Sequence, residues 1–265
     1  MIFIIGGKGF VGSAFVRLCE NDNLEYTIIT RDNYRSYIGQ SCDVLINANG
    51  NSKKIIAEED NLLDFEASVT SVKKSLLDFE AVSYVYLSSG DIYPNSTAQK
   101  TTEEDQTIDE CKLSTYGFHK YLAELCVKQS AKKWWIFRLT GMVGIGLKKN
   151  AIYDLLHGDK LWLNPASKLQ YINTDNVADI IMDVLQNSHP NQTFNLAGKG
   201  VIELSEVMHL LATEIQLPYS SQVLIHNINT EKIERYVTLP QSMKTVKEYI
   251  KRHLSQKSPQ VLEAR

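Results

Sequence analysis

The stretch Ile2-Phe3-Ile4-Ile5-Gly6-Gly7-Lys8-Gly9-Phe10-Val11-Gly12 decides the fold. Four apolar residues, three of them isoleucine, read as a short buried strand, and the helical apolar period of Val11–Glu20 begins directly after the glycines. Glycines at 6, 9 and 12 in a strand-turn-helix permit a tight turn, let a pyrophosphate approach backbone N–H groups at the helix start, and allow helix and strand to pack closely. Gly6, Gly9, Phe10, Val11 and Gly12 are therefore expected to line a dinucleotide site. The alternative is that the glycines only serve a tight connection.

Outward from this turn, short apolar runs alternate with longer helical patterns, the rhythm of βαβ units on a parallel sheet. Strands are expected at Thr27–Ile29, Val44–Ile46, Tyr84–Leu87 and Trp135–Leu139, and helices at Leu62–Phe79 and Tyr116–Ser130. The interval from Arg31 to Asp43 is too short for a full strand and crossover, which need about 30 residues. The third βα unit is expected to be trimmed to a loop or a vestigial strand around Tyr37–Ile38.

After Leu139 the pattern loosens. Gly141–Gly146 reads as a loop, Ala151–His157, Asp175–Gln186 and Ser205–Ile215 as helices, with Ser205 as a cap and Asp175 as another cap, and Met243–Leu254 as a basic amphipathic helix with a solvated face. The expectation is an α/β, Rossmann-type doubly wound parallel sheet over 1–140 followed by a smaller, partly interleaved carboxy-terminal substrate lobe over 141–265.

The chain has 265 residues, 43% of them hydrophobic, enough for a sizeable core, and its net charge of −3 comes from mixed signs. No basic stripe suits nucleic acid. No run approaches the roughly 20 apolar residues of a membrane span. Met1–Ile5 is too short and has no basic region to be a signal sequence, so a cytoplasmic protein is expected. The triplets at Asn95 and Asn191 are then not glycosylated. Cys19, Cys42, Cys111 and Cys126 lack disulfide or metal-ligand spacing, and no metal is expected.

At the end of the second strand, Ile28-Ile29-Thr30-Arg31-Asp32 places an arginine about 19 residues beyond Gly12, where an acid would bind the ribose hydroxyls of NAD. An arginine pairs instead with a 2′-phosphate, so NADP is expected; Asp32 on the ribose of NAD is the alternative. Tyr116-Gly117-Phe118-His119-Lys120 puts tyrosine and lysine four apart on one helix face. An ammonium near a phenol favours the phenolate and so tunes proton exchange with a substrate oxygen. Leu87-Ser88-Ser89 ends the preceding strand where Ser89 could hold that oxygen. His119 reads as packing or surface, and Trp134-Trp135, at the start of a strand, as core rather than a stacking platform.

These motifs together resemble the extended short-chain dehydrogenase/reductases, the NAD-dependent epimerase/dehydratase family acting on nucleotide sugars. The resemblance rests on G-x-x-G-x-x-G at Gly6–Gly12, Leu87-Ser88-Ser89-Gly90-Asp91-Ile92-Tyr93, Tyr116-x-x-x-Lys120 with Ala123-Glu124, and Tyr171-Ile172-Asn173-Thr174-Asp175-Asn176-Val177-Ala178, in order over roughly 1–210. It implies Ser89 as the substrate-orienting hydroxyl, Tyr116 as acid/base, and Lys120 as the residue that holds the nicotinamide ribose and lowers the tyrosine pKa. The cofactor set becomes Gly6, Gly9, Phe10, Val11, Gly12, Arg31, Asn47, Ala48 and Lys120, and the substrate set Ser89, Asp91, Tyr116, Gly141 and Asn150. Arg138-Leu139-Thr140-Gly141-Met142 matches the strand entering the substrate site, and Asn195-Leu196-Ala197-Gly198 a later strand-turn of the substrate lobe. Relatives usually dimerise through two helices, one of which here would be Tyr116–Ser130.

The departures narrow the chemistry. Where 4,6-dehydratases carry Asp-Glu after the hydroxyl, this chain has Gly90 and Asp91. Where GDP-fucose synthases, which it resembles around Thr30-Arg31-Asp32 and Ile92-Tyr93-Pro94, carry a catalytic cysteine, it has Asp91. Two phosphate-contacting positions of the larger relatives are Gly141 and Leu169, with Lys148, Lys149 and Asn150 as substitutes or as solvated residues. A 4-keto nucleotide-sugar reductase is expected, a 4-epimerase with bound NAD or a non-catalytic NADP(H)-binding protein being the alternatives.

Overall fold

The computed structural model describes residues 1–50, 54–212 and 222–257, with the backbone alone at 55, 56, 256 and 257. In chain order the first half comprises β1 (Ile2–Ile5), α1 (Gly12–Asn21), β2 (Tyr26–Ile29), β3 (Ser41–Asn47), α2 (Lys54–Glu59), α3 (Asn61–Phe65), α4 (Ser71–Asp78), β4 (Glu80–Ser89), α5 (Thr115–Ser130) and β5 (Trp134–Leu139). The second comprises β6 (Gly141–Val143), α6 (Ala151–His157), β7 (Lys168–Leu169), β8 (Tyr171–Asn173), α7 (Thr174–Asn187), β9 (Gln192–Leu196), β10 (Ile202–Glu203), α8 (Leu204–Leu211) and α9 (Ser242–Lys257).

Six strands form a parallel sheet in the order β2-β1-β3-β4-β5-β9. Alternation within each strand divides the core. Ile2 and Ile4 of β1 face α1 and α7, where Phe15, Val177 and Ile181 meet them, while Phe3 and Ile5 face α4 and α5, against Val72, Ala123 and Val127. Because both faces are covered, these strands are nearly continuous apolar runs, which is why they were recognisable as parallel.

The trimmed third unit is a loop with a 3₁₀ turn at Tyr34–Tyr37, and no strand forms at Tyr37–Ile38. With that unit lost, the chain passes from β2 straight to β3 on the other flank of β1, so Ile5 lies between Ile29 and Asn47. The strand order therefore reverses at β1/β3, and in open α/β sheets ligands bind in the crevice at the carboxyl ends of such strands.

The helix expected at Leu62–Phe79 is α3 and α4 joined by a π turn, Glu66–Thr70, which periodicity alone does not reveal. The strand-turn around Asn195 closes the main sheet instead of belonging to the lobe, because β9 pairs along β5 from Trp135 to Leu139. The carboxy-terminal segment has a separate core of Val143, Ile152, Leu155, Tyr171, Leu204, Val207 and Val246. Its caps differ from expectation: Asn173 accepts from the Asp175 N–H (2.8 Å), freeing Asp175 to pair with Arg17 of α1, and Ser205 donates to Glu203 (2.6 Å). The helix expected over Ser205–Ile215 is seen as α8; residues 213–215 lie outside the described residues. Among the described residues no helix is long and apolar enough to cross a membrane.

Candidate active site

The turn after β1 closes on itself. Gly6 adopts φ +81°, and a Cβ there would come within 2.9 Å of the Ala48 carbonyl oxygen. At Gly12 a Cβ would meet the Gly6 oxygen at 2.1 Å, so any side chain would force α1 off the turn. The Gly9 N–H donates to Gly6 O (2.8 Å), and no side chain caps the start of α1 at Val11. Phe10 is partly buried beside the turn, and Val11 packs against the core. The result is a side-chain-free cradle at a helix start, which fits the diphosphate of a dinucleotide.

Arg31 and Asp32 lie just beyond β2, both exposed, and Arg31 forms no ion pair with any described residue. Asn33 shapes this corner by accepting from Thr30 N (2.7 Å) and donating to Ile28 O (2.9 Å). Across the reversal point, the Asn47 amide donates to Tyr84 OH (2.7 Å) and Ser75 Oγ (3.2 Å) and accepts from Asn49 N (3.0 Å). Its side chain is thus committed to holding the β3 end in shape. Ala48 stands against Gly6 and packs on the core.

Ser89, Tyr116 and Lys120 meet at the carboxyl end of β4. Ser114 caps α5 through the Gly117 N–H (3.1 Å), and Gly117 lets the helix start press against the Asp91 backbone, where a Cβ would sit 2.4 Å from its oxygen. One turn apart, Tyr116 and Lys120 both point toward the sheet and both are buried. Lys120 Nζ donates to Leu87 O (3.4 Å) and lies 5.4 Å and 6.0 Å from the Tyr86 and Tyr116 ring centres. Burial pushes Lys120 down to about 8, although the carboxylates of Asp64, Glu124 and Asp91 oppose this.

The tyrosine corrects an expectation. Burial, reinforced by the Asp91 charge, pushes the Tyr116 phenol above its ordinary value, while the Ser89 hydroxyl works the other way. Its burial therefore keeps this group a neutral phenol in the protein on its own.

Asp91 is held as a carboxylate. Burial would push its pKa up, but Lys54 Nζ at 2.6 Å, His226 and Ser89 outweigh this and leave it below the usual range. Ser89 Oγ donates to Asp91 Oδ2 (2.9 Å), and His226 Nε2 stands 4.0 Å from Oδ1. Neither Lys54 nor His226 is recognisable in sequence, since each is a lone residue brought in from a distant segment by the fold. Gly141 and Asn150 play backbone roles: a Cβ at Gly141 would sit 2.7 Å from Gln170 O, and Asn150 caps α6 through Tyr153 N (2.9 Å) while donating to Met142 O (2.8 Å). Lys148 and Lys149 are exposed just before α6.

Beneath the site runs a buried polar network. Arg138, 1% exposed, donates to both Glu124 oxygens (3.0 and 2.8 Å) and to Tyr93 OH (2.8 Å). Glu124 also accepts from Ser88 Oγ (2.6 Å), and Tyr93 donates to Asn195 Oδ1 (2.8 Å). This network ties β4, α5, β5 and β9 together directly behind Ser89 and Tyr116.

A protein-family profile described as the NAD dependent epimerase/dehydratase family matches residues 2–197. No curated protein matches the chain. Among solved structures, a UDP-galactose 4-epimerase superposes with TM-score 0.78 at 16% identity, covering 96% of this chain and 99% of that one. A UDP-N-acetylglucosamine 4-epimerase from Methanobrevibacter ruminantium, in complex with UDP-N-acetylmuramic acid, gives 0.76 at 15% identity, covering 96% and 98%. A dTDP-4-dehydrorhamnose reductase from Bacillus anthracis, in complex with NADP, gives 0.73 at 11% identity, covering 94% and 96%.

Proposed function

The chain belongs to the NAD dependent epimerase/dehydratase family, the extended short-chain dehydrogenase/reductases, and from that premise we propose that it reduces the keto group of a 4-keto nucleotide sugar with NADPH. The observation that carries the reading is the convergence of Ser89, Tyr116 and Lys120 beside a side-chain-free cradle at the point where the strand order reverses.

The nicotinamide cofactor supplies the hydride. Gly6, Gly9, Phe10, Val11 and Gly12 would hold its diphosphate, Arg31 its 2′-phosphate, Ala48 and the loop fixed by Asn47 its middle, and Lys120 its ribose. The chain's own residues do the acid–base work. Ser89 orients the carbonyl oxygen, and Tyr116 donates the proton to it. A phenol that the site keeps protonated can serve as the proton donor for the reduction. Arg31, exposed and without an ion-pair partner among the described residues, supports NADP over NAD.

The nucleotide-sugar substrate is supported by the neighbours, whose names are those of enzymes acting on UDP- or dTDP-sugars and one of which holds UDP-N-acetylmuramic acid. The same reading takes 1–140 as the dinucleotide-binding part and 141–265 as the substrate lobe, with β9 returned to the first, in a cytoplasmic homodimer packed through α5. Its test is stoichiometry: a reductase consumes one NADPH per keto sugar, whereas a 4-epimerase shows no net consumption.

A further inference from the structure

The segment 222–230 carries His226 to the site and is pinned on two sides. On one side it lies along β7, where Lys168 N–H donates to Leu224 O (2.8 Å) and His226 N–H to Lys168 O (2.8 Å). On the other, Asn227 N–H donates to Ser96 O (2.7 Å) and Ser96 Oγ to Ile225 O (3.2 Å). The buried Gln170 closes the run, accepting from Ile228 N–H (2.7 Å) and donating to Ile228 O (3.3 Å). Each of these backbone groups needs a partner, and the partners together fix the path of the segment.

Two residues apart, His226 and Ile228 both reach the turn that follows β4. A Cβ on Gly90 would lie 3.5 Å from the Ile228 side chain, and His226 Nε2 stands 4.0 Å from Asp91 Oδ1. That separation is too long for a hydrogen bond, and no described residue bonds to either ring nitrogen. Burial pushes the imidazole below its ordinary pKa against the pull of Asp91, so at neutral pH the ring is uncharged and carries one N–H. Asp91 is a pure acceptor: Lys54 and Ser89 occupy two of the roughly four lone-pair sites of a carboxylate, and the others remain.

One oxygen making two hydrogen bonds of about 2.8 Å, at an angle of about 90–110°, sets its partners about 4.0–4.6 Å apart. His226 Nε2 and Asp91 Oδ1 have the spacing of a pair that shares one hydroxyl. The imidazole N–H donates to the hydroxyl oxygen, and the hydroxyl donates to the carboxylate. A keto oxygen has no proton for the second bond, and a methylene makes neither.

We infer that His226 and Asp91 together bind the hydroxyl on C3 of the 4-keto sugar, which makes His226 a specificity-determining residue. The inference rests on the function proposed above for the sugar class. Ser89 has one proton, donated to Asp91 Oδ2 (2.9 Å). When it turns that proton to the keto oxygen on C4, the carboxylate gives up a bond, and a hydroxyl on an adjacent carbon supplies one in its place. Of the two carbons beside C4, C5 carries the ring oxygen and C6, so only C3 carries a hydroxyl.

The test is calorimetric binding to full-length protein saturated with NADP⁺, which has no hydride to give. The probes are dTDP-4-keto-6-deoxyglucose and its 3-deoxy analogue, and the same two sugars as UDP derivatives. Wild type should bind the 3-hydroxy sugar about 10- to 100-fold more tightly than the 3-deoxy sugar, the worth of a hydrogen bond to a charged group. His226→Phe should cut that preference by about 5-fold or more, the worth of the neutral bond, while binding the 3-deoxy sugar nearly as wild type does. His226→Gln, which keeps an N–H donor, should retain more of the preference than His226→Phe. A histidine with a merely structural role would weaken both sugars alike when replaced. A wild-type preference below about 2-fold, equal weakening of both sugars in His226→Phe, or no binding of any of the four probes overturns the inference; the wild-type ratio decides it even if His226→Phe does not fold. Separately, binding of the 3-hydroxy sugar with no NADPH consumed on its addition overturns the reductase reading and leaves the binding preference standing.

Discussion

Glu124→Gln removes a charge from the centre of the network behind the active site. Glu124 is fully buried and accepts three hydrogen bonds, from Ser88 Oγ at 2.6 Å and from Arg138 at 3.0 and 2.8 Å. Arg138 is 1% exposed, so water cannot replace the lost carboxylate. Breaking a buried pair on one side costs about 3–5 kcal/mol, because a bare charge is left behind. Glutamine keeps one acceptor oxygen but turns an NH₂ group toward guanidinium N–H groups, which places the expected loss at about 3 kcal/mol. At about 2–4 °C per kcal/mol for a chain of this size, Tm should fall by about 6–12 °C. Thermal and urea unfolding would measure it, with an unchanged urea slope as the sign that the unfolded state is not altered. The double variant Glu124→Met, Arg138→Met should lose much less than the sum of its two single variants, since no unpaired charge remains. A loss below about 1 kcal/mol in Glu124→Gln, or additivity in the double variant, would refute the reasoning.

Arg31→Ala should weaken NADPH binding by about 1.5–3 kcal/mol, the value of a hydrogen bond to a charged group, and leave NADH nearly unaffected; equal weakening of both removes the 2′-phosphate role. The kcat/KM of reduction should decline as pH rises through about 8, where Lys120 loses its proton, and a profile flat well beyond that value contradicts this. Given dTDP-glucose or GDP-mannose, the enzyme should form no 4-keto-6-deoxy product, because Gly90 leaves Asp91 without its neighbouring acid and Lys54 holds Asp91 as an anion; mass spectrometry detecting the dehydrated sugar would show an acid elsewhere.

Much of the architecture was legible because burial on both sheet faces writes itself into composition. The runs Ile2–Ile5 and Trp135–Leu139 are strands within a residue of their expected bounds. The missing third unit was legible as a simple shortage of residues between Arg31 and Asp43. The Ser89, Tyr116 and Lys120 cluster could be read because helix period and strand end each fix a direction. What could not be read depends on contacts between distant segments. Asn47 spends its amide on Tyr84 and Ser75, and Asn150 spends its own on α6 and β6, which no local pattern distinguishes from open donors. His226 reaches Asp91 from more than a hundred residues away. The phenol of Tyr116 is governed by its burial and by Asp91, neither of which is visible in the spacing to Lys120. The break in the long helix at Glu66–Thr70 likewise leaves no trace in its apolar period, yet it sets Ser68 against Asp64.

The most direct measurement follows NADPH oxidation by wild type and Tyr116→Phe with a preformed 4-keto-6-deoxy nucleotide sugar, alongside NADPH titrations of both proteins. Wild type should consume one NADPH per sugar, and Tyr116→Phe should bind NADPH almost as tightly while turning over slower by about 10²–10⁴-fold, the worth of a positioned proton donor. No net consumption by wild type, or a variant that keeps more than about a tenth of wild-type turnover, a deficit of less than about 1.4 kcal/mol in the barrier, would contradict the account.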